Sequence, residues 1–149
     1  MGDKLISLPE ANRMLPLLRI IIRDITTHWE RIIYKRTELE TLEKDPLIRP
    51  SIEKAIQAIK GELNYLLDKI NHYIKEVEDL GCYVEEFKRG IVNIPTLYHG
   101  RKVFLCWKCD EDEVAYWHKL DVGFSDRVRI RDPKTFLGMQ PPVPKGGVK

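Results

Sequence analysis

Residues 50–81, PSIEKAIQAIKGELNYLLDKINHYIKEVEDLG, decide the fold of this chain. Apolar side chains recur there every three or four residues, at Ile52, Ile56, Ile59, Leu63, Leu66, Ile70, Tyr73, Val77 and Leu80. This near-unbroken heptad spacing is typical of a helix that buries one face against a partner helix. Gly81 follows the last apolar position, where a glycine commonly ends a helix. The stretch therefore predicts a helix of about 30 residues, roughly 45 Å long at 1.5 Å per residue.

A partner helix precedes this one. Ser7 and Glu10 have the spacing of a capping box, and Pro9 lies in the first turn that the box would open. The apolar positions that follow are Leu15, Leu18, Ile22, Ile25, Trp29, Ile32 and Leu39. Residues 43–50, EKDPLIRP, contain two prolines and an aspartate and so predict a turn. Because the connection is short, we expect an antiparallel helical hairpin over residues 8–80.

The periodicity changes from helical to alternating after the hairpin. Short runs of strand-forming residues occupy positions 83–85, 90–94, 103–107 and 114–117, with turns predicted at 98–101 and 109–112. The alternation of Arg127, Arg129 and Arg131 predicts a solvated edge strand. The fold class is therefore α+β: a long antiparallel helical hairpin packed on a small antiparallel β-sheet.

The chain fits one domain of residues 1–130, with the hairpin at 8–80 and the sheet region at 82–130. Residues 131–149 are rich in proline and glycine and lack periodicity, so a flexible tail is expected. The apolar stripe of the hairpin is wider than a two-stranded seam needs, since Met14, Ile21, Leu42, Leu67 and Ile74 extend it. This predicts a homodimer that associates through the helices.

Composition excludes several classes of protein. With 43% apolar residues and 32% charged residues, the 149-residue chain resembles a globular protein rich in surface helix. A net charge of +2 does not by itself favour nucleic acid, so a nucleic-acid partner is not expected. The chain contains no long uncharged apolar run, so we expect neither a membrane span nor a signal peptide. Three cysteines, an odd number, predict reduced thiols and a cytoplasmic protein.

Residues 104–127, FLCWKCDEDEVAYWHKLDVGFSDR, concentrate the side chains that could carry chemistry. Glu113 and His118 are candidate ligands of a divalent transition metal, and Asp121 could orient the imidazole or contact a ligand. Trp107 and Trp117 are candidate walls of a ligand pocket. In a regular strand, positions 113 and 118 face opposite sides, so the two ligands converge only where the strand ends or bulges. The alternative for all five residues is solvated surface charge and ordinary core.

The pair Cys106 and Cys109 has the CxxC spacing of zinc and redox sites. Zinc would require two further ligands, yet the chain has no second CxxC and no HxxxH. A redox CxxC usually opens a helix, whereas this one ends a predicted strand. We therefore favour a buried strand cysteine followed by an incidental turn cysteine.

Three stretches carry a resemblance to a known family: SLPEANRMLPLLR (7–19), GCYVEEFKRGIVNIPTLYHGRKVFLCW (81–107) and EVAYWHKLDVGFSDR (113–127). In them the chain resembles the prokaryotic domain-of-unknown-function family 2203, some members of which carry the label "division initiation protein". The resemblance implies no established activity. The family pattern includes the positions of Glu113 and His118, which favours a site there, and does not include Cys109.

Two hypotheses about function follow. The first is a small cytoplasmic protein that serves as a helical-hairpin structural or interaction module. The second is a small metal- or ligand-dependent enzyme with a site around Glu113, His118 and Asp121. No complete catalytic set is visible in the chain, which favours the first.

Overall fold

Two long helices form an antiparallel hairpin in the computed structural model, which describes residues 4–47 and 49–136. Helix α1 spans Leu8–Glu43 and helix α2 spans Pro50–Asp79, as the periodicity predicted. The capping box is present: the Ser7 hydroxyl accepts the Glu10 N–H at 3.2 Å, and the Glu10 carboxylate accepts the Ser7 N–H at 3.1 Å. Within the described residues, no helix combines the length and apolar character that a membrane crossing requires.

A five-stranded antiparallel sheet follows the hairpin. Its strands are β1 (Tyr83–Glu86), β2 (Ile91–Tyr98), β3 (Arg101–Lys108), β4 (Tyr116–His118) and β5 (Val128–Arg129). They lie side by side in chain order, so each strand pairs with its neighbour in sequence. The β2–β3 turn contains only His99 and Gly100, both with positive φ (51° and 79°), which suits a tight hairpin turn. The predicted α+β class is confirmed.

The main core lies between one face of the sheet and the helices. Ile22 of α1, Val77 of α2, and Leu105 and Trp107 of β3 are fully buried in it. A smaller cluster of Ile32, Leu66 and Ile70 continues along the hairpin, away from the sheet. The sheet therefore has an inner face, which packs on the helices, and an outer face, which points the other way.

The segment after the sheet differs from the expected flexible tail at its first residues. A single 3-10 turn at Pro133–Thr135 leads to Phe136, which is buried and pairs with Tyr98 in an isolated β-bridge. The Phe136 ring lies 5.2 Å from the Tyr98 ring and 6.1 Å from the Trp117 ring. An aromatic side chain that finds such partners outweighs the local absence of periodicity. Residues 137–149 of the expected tail lie outside the described residues.

Candidate metal centre

The outer face of the sheet carries a buried polar cluster. Side chains alternate along each strand, so Val92 and Leu105 point into the core while their neighbours Asn93 and Cys106 point outward. His118 also points outward, since it pairs with Phe104 of β3 and its ring contacts the Phe104 ring at 5.8 Å. Despite lying on the outer face, Cys106 and His118 are fully buried.

The two ring nitrogens of His118 both face oxygen atoms. Nδ1 lies 2.8 Å from the backbone carbonyl oxygen of Lys119, and because a carbonyl only accepts, Nδ1 carries a hydrogen. Nε2 lies 3.0 Å from Asn93 Oδ1 and 3.5 Å from Glu85 Oε1. A neutral imidazole has a hydrogen on one nitrogen only. Nε2 therefore faces two oxygen atoms that can only accept, an arrangement in which a metal ion could lie between the nitrogen and the oxygens.

The amide of Asn93 has one orientation that satisfies its neighbours. Its Nδ2 donates to Glu85 Oε1 at 3.0 Å, since a carboxylate can only accept. This donation leaves Oδ1 directed at His118. Asn93 thus holds the carboxylate and the imidazole together from the strand between β1 and β3.

Glu85 is fixed from the opposite side by the segment after β4. The backbone N–H of Phe124 donates to Glu85 Oε2 at 2.9 Å. The preceding Gly123 permits this approach, because a Cβ at that position would lie 2.8 Å from the same oxygen. The Glu85 side chain keeps 28% of its surface exposed, so the cluster reaches solvent on this side.

Cys106 brings a thiol to the same place. Burial raises its pKa from the ordinary value to about 12, although the nearby Arg127 guanidinium acts in the opposite direction. The side chain is therefore a neutral thiol when no metal is bound. A metal ion would displace the thiol proton, as ligating thiols are deprotonated.

Taken together, Glu85, Cys106 and His118 form a set of possible metal ligands. Their ligand atoms, one carboxylate oxygen, one sulfur and one ring nitrogen, all lie within 4.8 Å of one another. Zinc bonds of about 2.0–2.3 Å would bring tetrahedral ligands to roughly 3.5 Å apart. The ligand atoms would therefore have to approach one another by up to roughly 1.3 Å around an ion.

Arg127 closes the cluster on its far side. Its guanidinium donates to both carboxylate oxygens of Glu111, with Nη1 to Oε1 at 3.0 Å, and this pairing offsets its charge. The same guanidinium stacks on Tyr116 at 3.9 Å and on Phe124 at 4.1 Å. Through these contacts, Glu111 in the turn before β4 holds Arg127 and Phe124, which belong to the segment that covers Glu85.

Of the five residues predicted to form a site, the structure brings only His118 into this set, together with Cys106 of the CxxC pair. His118 belongs to it, whereas Glu113 is exposed in the segment before β4 and lies outside it. The proposed pairing of Glu113 with His118 stays a prediction. Trp117 and Asp121 line a common groove on another part of the surface. Trp107 is buried in the main core, where its indole N–H donates to the Glu111 carbonyl oxygen at 2.9 Å.

Sequence reasoning missed Glu85, Asn93 and Arg127. One signal was available: Asn93 is a polar residue within the otherwise apolar run of β2, IVNIPTLY. A polar side chain at the centre of a strand whose neighbours are buried usually has a polar partner. Its partners could not be read from the chain, because they depend on the pairing of four strands.

No curated protein and no solved structure matches this chain. The sequence profile of one family, described as "Uncharacterized conserved protein (DUF2203)", matches residues 4–130. That stretch includes both helices, the whole sheet and every residue of the candidate centre, and the chain therefore belongs to the DUF2203 family.

Proposed function

We propose that this protein binds a divalent transition metal through Glu85, Cys106 and His118. One observation carries the proposal: a buried imidazole directs its second nitrogen at oxygen atoms, in a place where a carboxylate and a thiol lie within 4.8 Å. A cation at this point would accept the lone pair of Nε2 and would also bind the Cys106 sulfur, which would then be a thiolate. Nε2 already lies 3.0 Å from Asn93 Oδ1, so a metal ion would take the place of that contact rather than fill an empty one.

The donor types favour zinc over magnesium or calcium. A thiolate and an imidazole are ligands that zinc and related metals prefer, whereas magnesium and calcium prefer oxygen. The Nδ1–H of His118, held by the Lys119 carbonyl, leaves Nε2 as the ligating nitrogen. Second hydrogen bonds of this kind commonly orient metal-bound histidines.

The number of ligands bears on whether the centre is structural or catalytic. Three protein ligands leave one tetrahedral position, which the Asn93 amide oxygen or a water molecule could take. With water in that position, the class of reaction would be metal-assisted hydrolysis. With Asn93 there, the metal would fasten β1, β2, β3 and β4 to one another. The metal-dependent enzyme predicted from the sequence, with Glu113 and His118 as ligands and Asp121 beside them, would share only His118 with this centre.

Metal content tests the proposal directly. We would measure bound metal by elemental analysis of untagged protein that is purified without chelator and then incubated with zinc. The expected result is near-stoichiometric zinc in the wild type and a loss in both Cys106→Ser and Glu85→Gln. Matched controls are Cys109→Ser and Glu113→Gln, which alter the same residue types outside the set and should retain the metal.

Two outcomes would contradict the proposal. An absence of zinc in the wild type after incubation would exclude the centre. Loss of zinc in Glu113→Gln, but not in Glu85→Gln, would instead support the ligand pairing predicted from the sequence. Stability provides an independent readout, because an ion held at 100 times its Kd stabilises the folded protein by about 2.7 kcal/mol. The melting temperature of the wild type should fall with chelator, and that of Cys106→Ser should not.

The helical hairpin supports a second proposal, that of a structural or interaction module that forms a homodimer through its helices. A groove of about 460 Å³ opens between α1 and α2, beyond the part of the hairpin that the sheet covers. Its apolar walls are Trp29, Ile32, Leu39, Leu63 and Leu67. Leu67 is 45% exposed and Ile33, which directly follows Ile32 in α1, is 46% exposed. A second hairpin would cover this surface, as in a coiled-coil bundle.

Molar mass in solution tests the dimer. Light scattering during gel filtration should give twice the chain mass for the wild type and a single chain mass for Leu67→Glu. Leu120→Glu is the matched control, because Leu120 is 48% exposed but lies beside the sheet. A monomeric wild type, or equal effects of the two variants, would reject association through the helices.

A cytoplasmic location is the third part of the proposal. Cys82, Cys106 and Cys109 are all free, and the first two are buried. Free buried thiols are compatible with the reducing compartment in which disulfides are rare. A fluorescent fusion compared with a cell-fractionation blot of the untagged protein would test it, and recovery outside the cytoplasm would reject it.

A further inference from the structure

A second site lies at the end of the sheet near the β2–β3 turn. We propose that this groove binds an aromatic ring carrying a phosphate, the chemistry of a nucleotide. The groove has a volume of about 490 Å³, which is within the usual range for small-molecule sites. It runs between the turn at His99 and the residues that follow β4, from Lys119 to Asp121.

Two stacked aromatic rings line the groove. The Tyr98 and Trp117 ring centres lie 4.4 Å apart and the ring planes are inclined by only 31°, so one face of each ring covers the other. Phe136, itself fully buried, contacts both rings from behind and limits their movement. Tyr98 and Trp117 are only half-buried and line the groove, so part of each ring faces it. A planar ligand ring could extend this stack by packing on the part of the pair that the groove leaves open.

The rim of the groove is positively charged. Arg101 and Lys119 both line it, and both residues are exposed. In the described part of the chain neither of them forms an ion pair. The one acidic residue on the rim is Asp121. An anionic group on the ligand would complement this charge, and Arg101 is suited to a phosphate because its guanidinium can donate two hydrogen bonds.

A smaller cavity adjoins the groove on the other side of the same aromatic pair. It has a volume of about 270 Å³, shares Tyr98 and Trp117 with the groove, and is lined by both Arg131 and Asp132. Arg129 also borders it, but the Arg129 guanidinium lies 5.5 Å from the centre of the Tyr116 ring, on the outer face of the sheet. The positive charge that faces the groove is therefore that of the groove's own residues, such as Arg101 and Lys119, and a nucleotide could be bound there either free or as one unit of a single strand.

The groove is separate from the candidate metal centre. Trp117 faces the inner side of the sheet and His118 the outer side, so the two sites occupy opposite faces of β4. Their one link is Lys119, whose backbone carbonyl holds His118 while its side chain lines the groove. Substitution of the Lys119 side chain leaves that carbonyl in place, and the two sites can be tested independently.

The test is a binding titration of the full chain with thymidine monophosphate and, separately, with a single strand of ten thymidines. Calorimetry would give the affinity for each, in low and in moderate salt. We expect the double variant Arg101→Gln/Lys119→Gln to bind at least tenfold more weakly than the wild type. The matched control is Arg13→Gln/Lys54→Gln, which removes the same charge from exposed positions on the helices and should change the affinity less than twofold.

The two ligand sources give different results. If the mononucleotide binds as tightly as the strand, the groove takes a free nucleotide. If the strand binds much more tightly and its affinity falls steeply with salt, the groove takes one unit of a single-stranded nucleic acid. Either result supports the site, provided that the groove variant weakens binding. No binding of either probe at 1 mM, on the order of the weakest useful affinity, would overturn the proposal. Equal weakening by the control variant would also overturn it.

Discussion

The packing of the sheet on α1 makes a sharp prediction at Gly90. This residue lies in the turn before β2 with φ +67°, and its carbonyl oxygen accepts the Cys109 N–H at 3.0 Å. A Cβ at position 90 would lie 2.7 Å from Ile22 Cγ2 and 2.8 Å from Cys109 Sγ. Ile22 is fully buried at the centre of the interface between helix and sheet, so it has no space into which to move.

The magnitude of Gly90→Ala follows from three terms. The left-handed backbone conformation costs a residue with a side chain about 1–2 kcal/mol. Forcing an extra methyl group into a packed core costs about 1–3 kcal/mol. The unfolded chain has less conformational entropy with alanine than with glycine, and this difference stabilises the folded variant by about 0.4–1 kcal/mol. We therefore expect Gly90→Ala to lower the free energy of unfolding by about 3 kcal/mol.

Gly100 is the matched control for this prediction. It also has a positive φ, +79°, but a Cβ there would meet no atom within 4 Å. Only the conformational terms remain, so Gly100→Ala should lose about 1 kcal/mol or less. Urea unfolding followed by circular dichroism would measure both variants. Equal losses at the two positions would refute the argument that close packing at Gly90 dominates. The double variant Gly90→Ala/Cys109→Ala should recover about 1 kcal/mol, because one of the two clashes is removed.

Three further predictions concern thiol ionisation, helix capping and the covering segment. Burial raises the pKa of Cys82 to about 12, so between pH 9 and 12 the unfolded chain releases a proton that the folded chain keeps. The free energy of unfolding therefore falls as pH rises through this window, by about 1.4 kcal/mol per pH unit for this thiol. Urea unfolding from pH 8 to 10 should show a smaller fall in Cys82→Ala than in the wild type. Ser7→Ala removes the cap of α1 and should cost about 1 kcal/mol by thermal melting, whereas an unchanged melting temperature would contradict the capping argument. Arg127→Met removes the positive charge that pairs with the Glu111 carboxylate and leaves it only the Lys108 N–H, in a pair that is only 14% and 21% exposed. Chemical unfolding should therefore show a loss of about 2–3 kcal/mol. The exposed control Arg31→Met should lose less than about 1 kcal/mol, and a similar loss in both would argue against burial as the cause.

The helical hairpin could be predicted closely from the chain. The expected turn at residues 43–50 separates α1, which ends at Glu43, from α2, which begins at Pro50. Helical periodicity, proline positions and capping residues act within a few residues of one another, so a single sequence reveals them. The turn at His99 and Gly100 was predictable for the same reason.

The candidate centre was predictable only in part. His118 stood out as a titratable residue among aromatics, but its neighbours Asn93 and Glu85 lie 25 and 33 positions earlier in the chain. They meet because Asn93 pairs with Cys106 and with Tyr83, while Phe104 pairs with His118. A shift of one residue in any of these pairings would turn the side chains to the other face. Acidic residues closer in sequence to His118, such as Glu113 and Asp121, do not join the set.

The sequence by itself determined the two helices, their turn, the alternating strands and the α+β class, because each depends on the periodicity of neighbouring residues. The tertiary structure decided which polar groups share a site. Strand register brought Glu85, Asn93, Cys106 and His118 to one buried place. Packing of Phe136 supports Tyr98 and Trp117 as a stacked pair that lines a groove. Both outcomes depend on contacts between residues far apart in the chain, and such contacts form only when the sheet closes over the helices.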